Sequence, residues 1–180
     1  VGYFHAPVSE GGLGVTSLRT AIPGMTLNRI QGLRFSDHPG YIAMRLHQLK
    51  WTVLWEPHYT VQGRVMKPDL VATMGAQAVI IDVQVVGTGL ELAFLHQQKA
   101  AKYSVPDLLR QVQGKRTEPP IVTTATMNFR GVWSRDSARD LLSLGLTKSD
   151  LKLMTVRCLQ GGLRCFWAHR RMTTVASNHG

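Results

Sequence analysis

Apolar and polar positions change period several times along these 180 residues, and each change marks an element. Residues 41–50 set Ile42, Leu46 and Leu49 on one helical face. Residues 51–61 then run apolar or alternate as a strand, with Glu56-Pro57 marking a bend or its end. Gln62-Gly63-Arg64 turns the chain into a short strand carrying Lys67-Pro68-Asp69, and a longer apolar strand carries Asp82-Val83-Gln84. A helix over 91–104 follows. Val105-Pro106-Asp107 interrupts or caps it, and residues 108–112 continue it. Residues 114–120 form an exposed loop, and 121–129 form a further strand. The last third is helical: one helix from Ser134 to Leu144 closed by Gly145, then a longer one from the second start at Thr147-Lys148-Ser149-Asp150 to about His169. Ahead of all this, residues 1–35 are turn-rich with one short helix near 25–33, and Ser36-Asp37-His38-Pro39-Gly40 is a breaker. The order helix–strand–strand–strand–helix–strand predicts an α/β (α+β) class, a mixed sheet flanked by helices.

The turn at Gly75-Ala76 fixes where the acidic residues fall. A two-residue hairpin loop with Gly first places the positive φ at that glycine. Met74 then faces Gln77, and the same register brings Asp69 opposite Asp82. Directly opposed side chains have Cβ atoms roughly 4.5–5.5 Å apart, and like charges there are destabilising. Both strands otherwise read as buried, with Leu70, Val71 and Ala72 on one and Val79, Ile80, Ile81, Val83, Val85 and Val86 on the other. A divalent cation is the simplest reason for two facing carboxylates, since hard oxygen ligands suit Mg²⁺. The bland alternative is a register slip that leaves one Asp at a solvent edge.

On the helix after these strands, Leu92 and Leu95 share a face with His96, Lys99 and Tyr103. A Lys inside an inward stripe has two readings. It snorkels, with its stem on apolar surface and its ammonium in water, or it reaches the carboxylates and stabilises charge on a phosphate.

Charge adds a partner class. Net charge is +10, from 21 basic and 11 acidic residues; residues 1–66 carry six basic and three acidic, 67–110 four and four, and 111–180 eleven and four. A basic surface beside a neutral, carboxylate-bearing centre suits a polyanion. Arg164, Arg170 and Arg171 with Trp167 combine charge and a stacking surface, and Lys67 and Lys102 flank the acidic pair; all five cations are candidate nucleic-acid contacts. Cys158 and Cys165 lie about 10 Å apart along one helix, beyond disulfide reach, and both read as small buried apolar residues. No apolar run is long enough to span a bilayer, so a membrane partner is not expected.

The strings KPDLVA (67–72), IIDVQVVG (80–87) and LHQQKAAKY (95–103), in that order, resemble the restriction-like endonuclease of R-two-type non-LTR retrotransposons, a branch of the PD-(D/E)xK superfamily. YFHAPVSEGGLGVTSLR at the front is similar to the segment after the reverse-transcriptase thumb in those polyproteins. MNFRGVWS and RCLQGGLRCFWAHRRMTT resemble their end. The likeness implies a restriction-endonuclease-like fold, with 1–40 a post-thumb remnant, 41–133 the nuclease core and 134–180 a helical extension. It implies Asp69, Asp82 and the Val83 carbonyl as metal ligands, Lys99 as the catalytic lysine, and Mg²⁺ or Mn²⁺ as cofactor. Gln84 stands where the superfamily usually has its lysine; Tyr103 matches a family position near the site, and Glu56 is an additional acidic candidate.

The implied activity is nicking of double-stranded DNA in the nucleus, exposing a 3′ hydroxyl that primes reverse transcription, with element RNA reached through the full polyprotein. A nucleic-acid-binding remnant without catalysis is the alternative. The family's Cys-Cys-His-Cys zinc knuckle has no counterpart between Gly32 and Lys50, so a fragment or an internally deleted copy is expected. Oligomeric state is not legible.

Overall fold

A computed structural model describes residues 37–87 and 89–176. The chain divides into two units, Phe35–Gln160 and a second made of Val1–Arg34 with Gly161–Gly180. The expected turn-rich segment 1–35 and its helix lie outside the described residues.

The described elements are α1 (Asp37–Gln48), β1 (Thr52–Trp55), β2 (Tyr59–Val61), β3 (Arg64–Met66), β4 (Leu70–Met74), β5 (Gln77–Val86), α2 (Leu92–Tyr103), α3 (Pro106–Gln113), β6 (Ile121–Asn128), α4 (Arg135–Ser143) and α5 (Lys148–Ala176). A four-stranded sheet runs in the order β1-β4-β5-β6, and β2 and β3 form a separate ribbon. β4 pairs antiparallel with both β1 and β5, whereas β5 and β6 are parallel. The class is therefore mixed α/β, as the periodicity predicts.

β5 is apolar on both faces because both are covered. Val79, Ile81 and Val85 join Leu70 and Ala72 of β4, Ala125 and Met127 of β6, and Ile42 and Leu46 of α1 in the larger core; Leu141, Leu151, Met154 and Cys158 of α4 and α5 complete it. Ala78 and Ile80 face the other way, against Val71, Tyr103, Leu108 and Val112. Strand alternation then puts Asp82 and Gln84 on the α2–α3 side.

Local chemistry sets the ends. Gly75 has φ 57 at the β4–β5 turn and Met74 pairs with Gln77, as expected. Gly145 takes φ 99 after α4. α3 begins on Pro106, whose missing N–H has no helical acceptor at that position. At the start of α5, the Thr147 N–H donates to Asp150 Oδ2 at 2.8 Å and the Asp150 N–H donates to Thr147 Oγ1 at 3.2 Å, a reciprocal capping box.

Several expectations need correction. Asp37-His38-Pro39-Gly40 opens α1 instead of breaking the chain; Pro39 lies in the first turn, where a proline costs no helical hydrogen bond. The stretch 51–61 is two strands in two sheets, because Glu56 turns at φ 42 ahead of Pro57. Lys67-Pro68-Asp69 is a link between β3 and β4 that bends at Asp69, not a strand. Pro68 has no N–H for a ladder, and only the Asp69 carbonyl joins, accepting from the Glu56 N–H at 2.8 Å. α5 also runs past His169 to Ala176.

Candidate active site

The link just before β4 and the middle of β5 bring the two carboxylates near each other. The ladder ends where Leu70 pairs with Ile81, and Asp69 stands one residue beyond that rung, near enough for the Asp82 and Lys99 charges to act on it. Asp82 is 4% exposed, in the middle of β5, and Asp69 is half-buried just before β4. One Asp69 oxygen accepts the Val83 N–H at 2.6 Å. β4 no longer pairs with β5 at that level, so the side chain takes over the bond a further β4 residue would make. Backbone N–H and C=O of one strand residue point to the same side, which turns the Val83 carbonyl toward this edge too.

α2 supplies the cation. Lys99 Nζ donates to Asp82 Oδ2 at 2.7 Å, and its side chain is 34% exposed. The ammonium thus reaches the carboxylate instead of snorkelling away. Tyr103, one turn further along α2, is buried; its hydroxyl donates to the Lys67 carbonyl at 3.0 Å. Burial first, then the charges and proximity of Asp82 and Asp69, push the Tyr103 phenol well above its ordinary value. Desolvation likewise raises the Asp69 carboxyl; the Val83 N–H opposes this, the Asp82 charge adds to it, Lys99 opposes it, and Glu56 adds to it.

The other sequence candidates have defined places. Gln84 Nε2 donates to the Leu95 carbonyl at 3.1 Å and to Thr126 Oγ1 at 2.7 Å, so this residue fastens α2 to the sheet. Glu56 is exposed and ion-paired with Lys67 at 2.6 Å, at the rim near Asp69. Lys102 Nζ donates to the Tyr103 hydroxyl at 3.1 Å and lies 4.6 Å from that ring's centre. Arg164 is exposed on α5; the side chains of Arg170 and Arg171 lie outside the described residues. Sequence reasoning missed a buried hydroxyl cluster of Thr124, Thr126 and Ser137 around His96. Its signal was the run Thr123-Thr124-Ala125-Thr126 in an otherwise apolar strand.

Among the described residues no group of three or more His, Cys, Asp or Glu gathers as a metal cage. The oxygen donors at this site are the Asp69 and Asp82 carboxylates and the Val83 carbonyl, a hard set suited to Mg²⁺ or Mn²⁺.

No protein-family model matches the chain. Over 144 residues, 77% of its length, it is 32% identical to the retrovirus-related Pol polyprotein from type-2 retrotransposable element R2DM of Drosophila melanogaster. The chain belongs to the R2 retrotransposon Pol polyprotein family. It is 31% identical over 136 residues to the Pol polyprotein of a type-1 retrotransposable element R2 from Nasonia vitripennis. A counterpart from Popillia japonica matches 82% of the chain at 27% identity. This R2-family chain spans 14% and 13% of the length of the first two relatives.

Proposed function

We propose that this R2-family segment is a metal-dependent DNA endonuclease that hydrolyses a phosphodiester and leaves a 3′ hydroxyl able to prime reverse transcription. The observation that supports it most is the 2.7 Å contact between Lys99 Nζ and Asp82 Oδ2, with the Asp69 carboxylate within reach of both charges. Mg²⁺ or Mn²⁺ would be held by Asp69, Asp82 and the Val83 carbonyl and would supply Lewis-acid polarisation and an activated water. The half-buried Asp69 fits such a group, since burial first and the Asp82 charge after it raise its carboxyl, and a bound cation would offset both.

The chain's own residues do the rest. Water oxygen attacks phosphorus, the bond from phosphorus to the 3′ oxygen breaks, and the water's proton ends on that oxygen. Lys99 carries a cation to the point where phosphoryl oxygens gain charge. Tyr103 keeps its proton at neutral pH and therefore donates a hydrogen bond; it is not a base. Lys67, ion-paired with Glu56 at the rim, and Lys102, on the Tyr103 hydroxyl, are the proposed contacts to the duplex backbone. Among the described residues no helix is long and apolar enough to cross a membrane, and double-stranded DNA in the nucleus is the proposed setting, with element RNA engaged by the whole polyprotein.

A nicking assay on duplex DNA with Mg²⁺ tests this. Asp82→Ala and Lys99→Ala should each lose about 10²–10³-fold in rate. Equal cleavage by the parent and Asp82→Ala ends the metal-site assignment. Salt-dependent binding with no metal-dependent cleavage by the parent supports a binding remnant instead.

A further inference from the structure

α2 fully buries only two side chains, His96 and Tyr103; the Tyr103 ring packs in the smaller apolar cluster, and each of the two also makes a hydrogen bond through a polar atom. Its neighbour α3 docks through Leu108 and Val112. Apolar contacts tolerate sliding, whereas hydrogen bonds fix distance and direction. The Tyr103 ring anchors the end of the helix that carries Lys99, and polar bonds fix its register: Tyr103 to the Lys67 carbonyl at its end, and a closed cluster around His96 near its start.

The cluster lies on the same face of the sheet as Asp82, one strand over. In the parallel register Thr124 lies beside Asp82 and Thr126 beside Gln84. Thr124, Thr126 and Ser137 are fully buried and His96 is 7% exposed. The direction of each bond follows from the chemistry of its ends. The Leu95 carbonyl only accepts, so the Gln84 atom touching it is the NH₂, and the same nitrogen donates to Thr126 Oγ1. The Thr126 hydroxyl then donates to Thr124 Oγ1 at 2.6 Å. Ser137 Oγ accepts the Thr126 N–H at 3.1 Å, covering the outer edge of the last strand.

Three atoms remain, His96 Nδ1, Thr124 Oγ1 and Ser137 Oγ, in a triangle with sides of 2.9, 3.0 and 3.2 Å. The two hydroxyls bring two protons. If Nδ1 accepts, both protons find a lone pair. If Nδ1 carries a proton, every arrangement strands one buried hydroxyl without an acceptor, which folded proteins avoid. His96 Nε2, which then bears the ring proton, faces Asp140 Oδ2 at 3.9 Å. Ser137, His96 and Asp140 have the residue types of a hydrolytic triad, but a fully buried Ser137 meets no substrate.

We infer that His96, accepting at Nδ1 with its ring proton on Nε2, is a positioning residue that, with Gln84, Thr124, Thr126 and Ser137, sets the register of α2 over the sheet and so holds the Lys99 ammonium on Asp82. This deepens the nuclease reading and rests on it only for its catalytic consequence.

The test uses the whole 180-residue chain and two readouts beside cleavage: the imidazole ¹⁵N–¹H spectrum, and the labelling rate of Lys99 by an amine reagent, read by peptide mass spectrometry. His96→Phe keeps ring volume without the acceptor, and His96→Asn returns an oxygen to the Nδ1 position. Ser137→Ala removes one oxygen without adding bulk, and carries the test if His96→Phe does not fold. His96→Phe should speed Lys99 labelling and lower kcat for nicking, each by about ten- to a hundredfold, with KM little changed; His96→Asn should recover most of both.

A ring proton found on Nδ1 overturns the inference, as does Lys99 labelling at the parent rate in both His96→Phe and Ser137→Ala. A parent that never cleaves, but whose Lys99 becomes reactive in His96→Phe, sinks the nuclease reading and leaves the positioning role standing.

Discussion

Asp69 lies near Asp82, and burial, ahead of that neighbour's charge, raises its carboxyl from the ordinary 3.8. A carboxyl raised on folding binds its proton more tightly in the folded state. Its contribution is therefore most favourable below 3.8 and declines as pH rises through the interval up to its raised value. Asp69→Asn keeps an oxygen for the Val83 N–H and removes the charge. At pH 7 and without divalent metal it should melt above the parent by roughly 2–4 °C, the shift that 1 kcal/mol gives at this size. Added Mg²⁺ should raise the parent's Tm and leave that of Asp69→Asn unmoved. A parent Tm indifferent to Mg²⁺ would count against cation binding here. Cys158 is a simpler case: burial pushes its thiol up to about 11, so alkylation at pH 8 should reach Cys158 only after denaturant is added.

Helix starts differ in what holds them, and the difference is measurable. Asp150 at the start of α5 is 4% exposed. Burial alone would raise its carboxyl, but hydrogen bonds from Tyr41, from the Thr147 N–H and hydroxyl, and from Arg45 outweigh it and hold the value at about 2. The resulting stabilisation is present above 3.8 and is lost as pH falls through about 2; it amounts to about 2 kcal/mol. Acid titration of the parent should show that loss, and Asp150→Asn should flatten it. Ser134 opens α4 at the cap position, yet its buried hydroxyl makes no hydrogen bond. Chemical denaturation of Ser134→Ala should show a change below about 0.5 kcal/mol, against about 1 kcal/mol for Thr147→Ala, whose hydroxyl works in the capping box.

Both helix starts were legible in the sequence, because Ser and Thr-x-x-Asp announce them locally. So were the hairpin turn, the bend at Glu56 and the inward face of α2 with Lys99 on it. The Lys67-Pro68-Asp69 link and the opening of α1 were not. A proline forbids one hydrogen bond but does not say whether the chain around it is strand, link or first helical turn. The His96 cluster was hidden for a different reason: its partners lie 28 and 41 residues away in sequence, and no local period carries that pairing.

Over the whole molecule, positive charge is uneven, with eleven basic and four acidic residues after position 110. Duplex affinity should therefore fall steeply with salt, and each phosphate contact should contribute about −0.9 to the log–log slope. Lys67→Ala and Lys102→Ala should each make the slope shallower by about that amount while leaving sequence preference unchanged. Titrations at several ionic strengths would read this directly, and an unchanged slope in both would remove those lysines from the interface.

The nitrogen that meets Asp82 arrives 17 residues downstream, from a helix, while the strand position two residues after that aspartate holds an amide. A pattern demanding lysine at 84 would pass this chain by, whereas a template that asks only where a positive nitrogen stands in space would stop at it. Restoring the textual motif should also do harm: Gln84→Lys would cut the tether between strand and helix and crowd a second ammonium against the first.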